Sequence, residues 1–281
     1  MIKDDLKVSL IVSVYKDIEA LDLIVESLRQ QTHKNFELIV AEDNNSKEMK
    51  DYIDAINDIK VQHTFQEDNG IQKARSINNA ILKNKGDYLI FIDGDCVLYT
   101  TFIEGHVALA EENRVLVGRR VNLGEKMSQK IRDHKLSAKK LEKSFIRNYP
   151  KMIMDKASHI EQGIYLNPHG FLYSKLKDRK TNLGMLGCNF SCFKKDMLEI
   201  NGFDESYGET AVTDDTDLQW RFEALGLKMK SCKFVANMFH LYHYRAPERY
   251  LDRMIPELER MLERKKTGNY KAKEGLDSFR H

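Results

Sequence analysis

Residues 86–96 read GDYLIFIDGDC, and this stretch decides the fold. Gly86-Asp87 punctuates the entry to a short apolar run, Tyr88 to Ile92, of the kind that forms a strand buried on both faces. The run ends in Asp93-Gly94-Asp95. Working outward, Val8 to Val14 is a second β-branched run, Phe36 to Val40 a third and Val61 to Phe65 a fourth. Between them lie segments of helical period. Residues 18–31 carry Ile18, Leu21, Ile24, Val25 and Leu28 on one stripe, and residues 47–57 and 70–84 follow suit. Strands and helices alternating at this spacing predict an α/β fold, with a mostly parallel sheet flanked by helices.

The chain has 281 residues, 42% hydrophobic and 31% charged, and a net charge of +2. That composition suits a globular domain and gives no global signal for nucleic acid. No signal peptide or apolar run long enough to span a bilayer is visible. Cys96, Cys188, Cys192 and Cys232 lack metal-knuckle spacing and read as reduced thiols of a cytoplasmic protein.

Residues 126–156 are rich in lysine and arginine and predict one or two amphipathic helices with a basic face. That face is either solvated surface, a lid, or a patch making peripheral contact with anionic lipid or glycan. Beyond it, Asn189 to Phe193 reads as a strand, Met197 to Asn201 as a turn and 216–225 as a helix. A closing helix, Arg249 to Lys266, carries the stripe Tyr250, Met254, Leu258 and Leu262.

In such sheets ligands bind beyond the carboxyl ends of the strands. Three polar tips fall there: Ser13-Val14-Tyr15, Glu42-Asp43-Asn44-Asn45 and Asp93-Gly94-Asp95. Two carboxylates one residue apart can divide a task, one holding a ribose hydroxyl and the other a divalent cation on a pyrophosphate; oxygen ligands suit Mg²⁺ or Mn²⁺. A further acidic cluster, Asp214, Asp215 and Asp217, precedes Arg221; it could serve as a base or cap the helix that follows. His240 and His243 follow another apolar run.

VSLIVSVYKDIEALDLIVESLRQQTHKNFELIVAEDNNS (8–46) and DNGIQKARSINNAILKNKGDYLIFIDGDC (68–96) together resemble the family 2 glycosyltransferases of the GT-A fold over roughly residues 7–122. GCNFSCFKKDMLEINGFDESYGETAVTDDTDLQWRFEALG (187–226) is similar to the galactosyltransferase-type acceptor half of the same superfamily. The resemblance implies that Ser13 and Tyr15 line the base and ribose pocket and that Asp43 bonds a uracil. It places Lys73 or Arg75 by the base or diphosphate, Asp93 on the ribose and Asp95 on the metal. It makes Asp215 the general base, with Asp214 and Asn189 on the acceptor side. A histidine completing the metal site would be His240, with His243 in reserve, and an imidazole would favour Mn²⁺ over Mg²⁺. Asn44-Asn45 stands where the family has Gly-Ser.

The expectation is therefore a metal-dependent, inverting transfer of a hexose or N-acetylhexosamine from a UDP-sugar to an oligosaccharide or lipid-linked glycan, as in bacterial capsule or lipopolysaccharide synthesis. No nucleic-acid partner is expected. The enzyme would be cytoplasmic, or peripheral on the inner face of the plasma membrane. Residues 1–122 would bind the donor and 123–182 form a basic helical insertion. Residues 183–245 would bind the acceptor, and 246–281 form an amphipathic tail. The alternatives are a catalytically silent binding module and a nucleotidyltransferase, although no Gly-rich phosphate loop follows the first strand.

Overall fold

A computed structural model describes residues 6–176, 184–208, 215–244 and 251–279. The first half alternates as expected: β1 Val8–Val14, α1 Ile18–Arg29, β2 Phe36–Glu42, α2 Lys47–Asp54, β3 Val61–Thr64, α3 Lys73–Lys83 and β4 Tyr88–Asp93. Then come β5 Cys96–Leu98, α4 Phe102–Leu109, β6 Arg114–Val117 and β7 Val121–Asn122. Residues 126–156 hold three helices, not one or two: α5 Glu125–Arg132, α6 Ala138–Lys143 and α7 Phe145–Met154. The remaining elements are α8 Phe171–Leu176, β8 Asn189–Phe193, α9 Lys194–Glu199, α10 Thr216–Ala224, β9 Lys228–Ser231, β10 Met238–His240 and α11 Leu251–Thr267. The segment expected to be a turn at 197–201 is mostly helix α9, because Met197 is buried as the helix's apolar anchor.

Seven strands form one sheet in the order β3-β2-β1-β4-β8-β6-β9. β1 pairs in parallel with β2 and β4, while β8 runs antiparallel to both β4 and β6. Both faces are covered, so alternate residues of one strand enter different cores. Leu10, Val12, Leu38, Val40, Ile90 and Ile92 meet Leu21, Ile24, Val25 and Leu28 of α1. Ile11, Ile39, Leu89 and Phe91 meet Ala74, Ile77 and Ile81 of α3, with Leu218 and Phe222 of α10. That is why these runs read as continuous apolar stretches. A second, three-stranded sheet, β5-β10-β7, carries the insertion helices on a third core that includes Val97, Leu123, Met127, Phe145, Met152 and Phe239.

Arg221 and Asp217 form a fully buried pair on α10, 2.6 Å apart. Asp217 also accepts from Tyr207 Oη at 3.0 Å and Trp220 Nε1 at 2.9 Å, and Arg221 donates to the carbonyls of Ile200 and Gly202. In α11, Met254 and Leu258 pack near this cluster as expected, but Met261 is the buried anchor while Leu262 is 47% exposed. Tyr250 lies outside the described residues.

Candidate active site

Register alone brings the three polar tips together. Ser13 is opposite Ala41 on one side and Asp93 on the other, so the carboxyl ends of β1, β2 and β4 finish level. Beyond them opens a pocket of about 800 Å³ lined by residues that include Ser13, Tyr15, Asp43, Lys73, Asp93 and Asp95. Gly94 separates the two aspartates for a steric reason: a Cβ there would sit 2.7 Å from the Ser13 carbonyl oxygen. Only glycine lets the turn after β4 lie against β1.

The two aspartates have different partners. Asp93 takes the Lys73 ammonium at 2.8 Å and the Ser13 hydroxyl at 3.5 Å. Asp95 faces two imidazoles, with His240 Nε2 at 3.1 Å and His243 Nε2 at 3.2 Å from the same carboxylate oxygen. Burial pushes the Asp95 carboxyl up, but the hydrogen bonds from His240 and His243 outweigh it and hold the group well below the usual carboxylate range. His240 arrives because β10 pairs with β5, which sets His240 opposite Cys96. The ligand-type atoms of Asp95, His240 and His243 lie within 4.8 Å of one another, a carboxylate and imidazole set that fits a divalent transition-metal cation.

Asp43 is 6% exposed and already tied: Gln72 N and Gln66 Nε2 each donate to it at 2.7 Å. Burial raises its pKa despite these bonds. Tyr15 is half exposed, with its hydroxyl on Asp68 at 3.2 Å, and Lys16 binds the same carboxylate at 2.6 Å. Glu42, next to Asp43 in the chain, is instead a buried scaffold, accepting from Ser46 N and meeting His63 Nε2 at 2.8 Å.

Arg75, Asn189 and Asp215 do not line the pocket, and His240 meets it through Asp95. Arg75 points away along α3, pairing with Glu205 at 3.1 Å and lying over the Phe279 ring. Asn189 is fully buried in β8, where its amide donates to the carbonyls of Arg119 and Ala236 and accepts from His106. It organises the sheet and presents nothing to a ligand. Asp214 lies outside the described residues. Asp215 stands at the N-cap position of α10 without making a side-chain cap bond. Its carboxylate instead accepts from the Gly187 backbone N–H. Gly187 leads into β8, whose first residue, Asn189, is opposite Ile92, so Asp215 is anchored at the same sheet edge as the Asp93-Gly94-Asp95 turn. Asp217, by contrast, is consumed by Arg221.

Arg132, at the end of α5, lines the pocket and was not foreseen. It bridges to the Asp17 carboxylate at 2.9 Å, and Asp17 in turn caps α1 through Ala20 N. Its only sequence signal was membership of a basic run. Asp17 could have been noted as an N-cap before a helical stripe, but not as a pocket residue.

The mostly parallel sheet with an aspartate pair at its carboxyl edge is the GT-A glycosyltransferase fold, and solved structures show the same architecture. One is the mannosyltransferase PcManGT of Pyrobaculum calidifontis in complex with GDP-Man and Mn²⁺. Its TM-score is 0.59 at 12% identity, over 93% of this chain and 64% of that one. The chain belongs to glycosyl transferase family 2, whose profile matches residues 9–197. A second profile, the N-terminal domain of galactosyltransferase, matches residues 172–244. An uncharacterized glycosyltransferase of Rickettsia bellii is 32% identical over 113 residues, which is 40% of this chain and 16% of that protein. The UDP-Glc:alpha-D-GlcNAc-diphosphoundecaprenol beta-1,3-glucosyltransferase WfaP of Escherichia coli is 31% identical over 109 residues, 38% of this chain and 43% of that protein. The match thus spans about a sixth of the Rickettsia protein and under half of the E. coli one.

Proposed function

We propose that this chain transfers a hexose or N-acetylhexosamine, with inversion, from a UDP-sugar to a hydroxyl of a glycan acceptor. The observation that carries the reading is the convergence of Asp43, Lys73, Asp93 and Asp95 on one pocket at the carboxyl edge of the sheet. Asp43 accepts from the uracil, Tyr15 covers the base, and Ser13 and Asp93 hold the ribose. Lys73 and Arg132 offer positive charge to the diphosphate. Asp95, His240 and His243 hold Mn²⁺, the imidazoles favouring it over Mg²⁺. When bound, that ion neutralises charge on the departing diphosphate. Asp215 takes the acceptor hydroxyl's proton as the acceptor oxygen bonds to the anomeric carbon and the bond from that carbon to the UDP oxygen breaks. In this reading residues 1–122 hold the donor and 183–245 the acceptor. The name of WfaP, which carries both a UDP-sugar and a diphosphoundecaprenol-linked acceptor, supports a lipid-linked glycan as the acceptor class.

The test is thermal melting with UDP, GDP, CDP and ADP, with and without Mn²⁺, since a ligand selective for the folded state raises the melting temperature. The expected result is a Mn²⁺-dependent rise with UDP that disappears in Asp95→Ala, followed by release of UDP from a UDP-sugar when acceptor is added. No rise with any nucleotide refutes the donor site. Binding without turnover of any UDP-sugar favours the silent binding module.

A further inference from the structure

We propose that α6 and α7 form a docking surface for an anionic lipid bilayer. The inference does not depend on the donor or on the proton acceptor. It begins with the two faces of α7. Phe145 and Met152 are buried against the small sheet. The opposite face carries Ile146, Pro150, Ile153 and Met154, at helical spacing, and it points outward. Ile146 is 71% exposed, Ile153 59% and Met154 84%. Scattered exposed apolar side chains are ordinary, but three large ones on one face of a ten-residue helix form an unpartnered stripe.

The charge around the stripe is one-sided. Lys139, Lys140, Lys143, Arg147, Lys151 and Lys156 are all exposed. Only two acidic residues occur between positions 139 and 156, and both are engaged by backbone N–H groups. Glu142 accepts from Thr100 N and Thr100 Oγ1, each at 2.8 Å. Asp155 accepts from Lys126 N and Met127 N at the start of α5. Several lysines elsewhere are compensated, as Lys47 is by Asp51, Lys50 by Asp54 and Lys195 by Glu112. Among the described residues no carboxylate pairs with Lys140, Lys143, Arg147, Lys151 or Lys156. A cleft of about 820 Å³ runs between the two helices, lined by residues that include Lys140, Lys143, Ser144 and Arg147, together with Glu142, whose carboxylate is held by Thr100. It has the room and the donors for a lipid phosphate.

An apolar stripe edged by uncompensated cations is complementary to an interface where acyl chains lie beneath phosphates. A nucleic acid would use the cations and leave the stripe in water. A second copy of the chain would bring the same positive charge to itself. The bilayer is the occupant that satisfies both halves of the surface.

The experiment is flotation of the whole chain with vesicles of phosphatidylglycerol and phosphatidylcholine, compared with phosphatidylcholine alone. The wild type is expected to float with the anionic vesicles only, and less as salt rises. Neutralising Lys140→Gln, Lys143→Gln and Arg147→Gln together should cut the partition coefficient roughly a hundredfold, at ~5-fold per cation. Ile146→Ser, Ile153→Ser and Met154→Ser together should also abolish flotation. Lys47→Gln, Lys50→Gln and Lys195→Gln, an equal charge change elsewhere, should leave it intact. Because all these side chains are exposed, melting temperatures should stay within a few degrees of wild type. No wild-type flotation with anionic vesicles overturns the proposal, as does equal loss in the control. So does a serine variant that only changes the oligomeric state on gel filtration. The UDP-dependent melting shift, read on the same preparations, separates failure here from failure of the donor site.

Discussion

His106 on α4 is fully buried between Asn189 and Ser191 of β8, and its surroundings dictate one protonation state. Asn189 Nδ2 donates to two carbonyls, so its Oδ1 faces His106 Nε2 at 3.1 Å and that nitrogen carries the proton. Nδ1 then accepts from Ser191 Oγ at 2.8 Å, and Ser191 accepts from the Tyr88 hydroxyl at 2.7 Å. Burial pushes the His106 pKa down to about 3, against an ordinary value of 6.5. Because the folded pKa is depressed, the unfolded chain binds the proton first as pH falls. The contribution is complete above the unfolded value and is lost between roughly pH 6.5 and 3, with a slope near 1.4 kcal/mol per pH unit. From about pH 7.5 to 5.5 the loss is about 1.4 kcal/mol. Urea unfolding of wild type and His106→Gln at both pH values measures it. The variant should be less stable at pH 7.5 but should lack this part of the acid dependence. Carboxylates with raised pKa values, such as Glu205, titrate alike in both proteins and cancel. Equal pH dependence in the two would refute the buried neutral form of His106.

The remaining predictions concern the site and its frame. Asp215→Asn should lower kcat by ~10²–10⁴-fold with little change in UDP affinity, measured by UDP release and calorimetry; an unchanged kcat would remove Asp215 from the proton transfer. Asp217→Asn should act on stability, costing about 3–5 kcal/mol by leaving Arg221 unpaired in the core, and a calorimetric melt reads it. Arg132→Ala should weaken UDP binding more than uridine binding, because its charge is assigned to the diphosphate; equal weakening would argue for a purely structural bridge to Asp17. Gly118→Ala would place a Cβ 2.2 Å from the Asn189 side chain, which three hydrogen bonds hold in place, and should cost roughly 2 kcal/mol or more by chemical denaturation.

The first half of the fold was legible because its strands are buried on both faces and its helices carry clear apolar stripes. Both are local patterns, written in consecutive residues. Asp93, Asp95, Asp43 and Ser13 were legible for the same reason, since each lies at the carboxyl end of an apolar strand and parallel strands end at one edge. Local pattern therefore accounts for β1 to β4, β8 and the acidic rim, while β6 and β9 of the same sheet carried no such signal. Which of the nearby candidates face the pocket depends on long-range packing. Lys73 and Arg75 are two residues apart on α3, and the helical turn sends one to Asp93 and the other to Glu205. Asn189 was expected on the acceptor side, but its β8 position turns it into the core, where His106 meets it. Asp215 and Asp217 are likewise two apart, and a buried arginine four residues on claims the second. Arg132 enters from an insertion helix 115 residues beyond its partner Asp17, and both histidines converge on Asp95 only because β10 pairs back onto β5. Side-chain direction and long-range pairing depend on packing among distant elements, so spacing along the chain does not encode them.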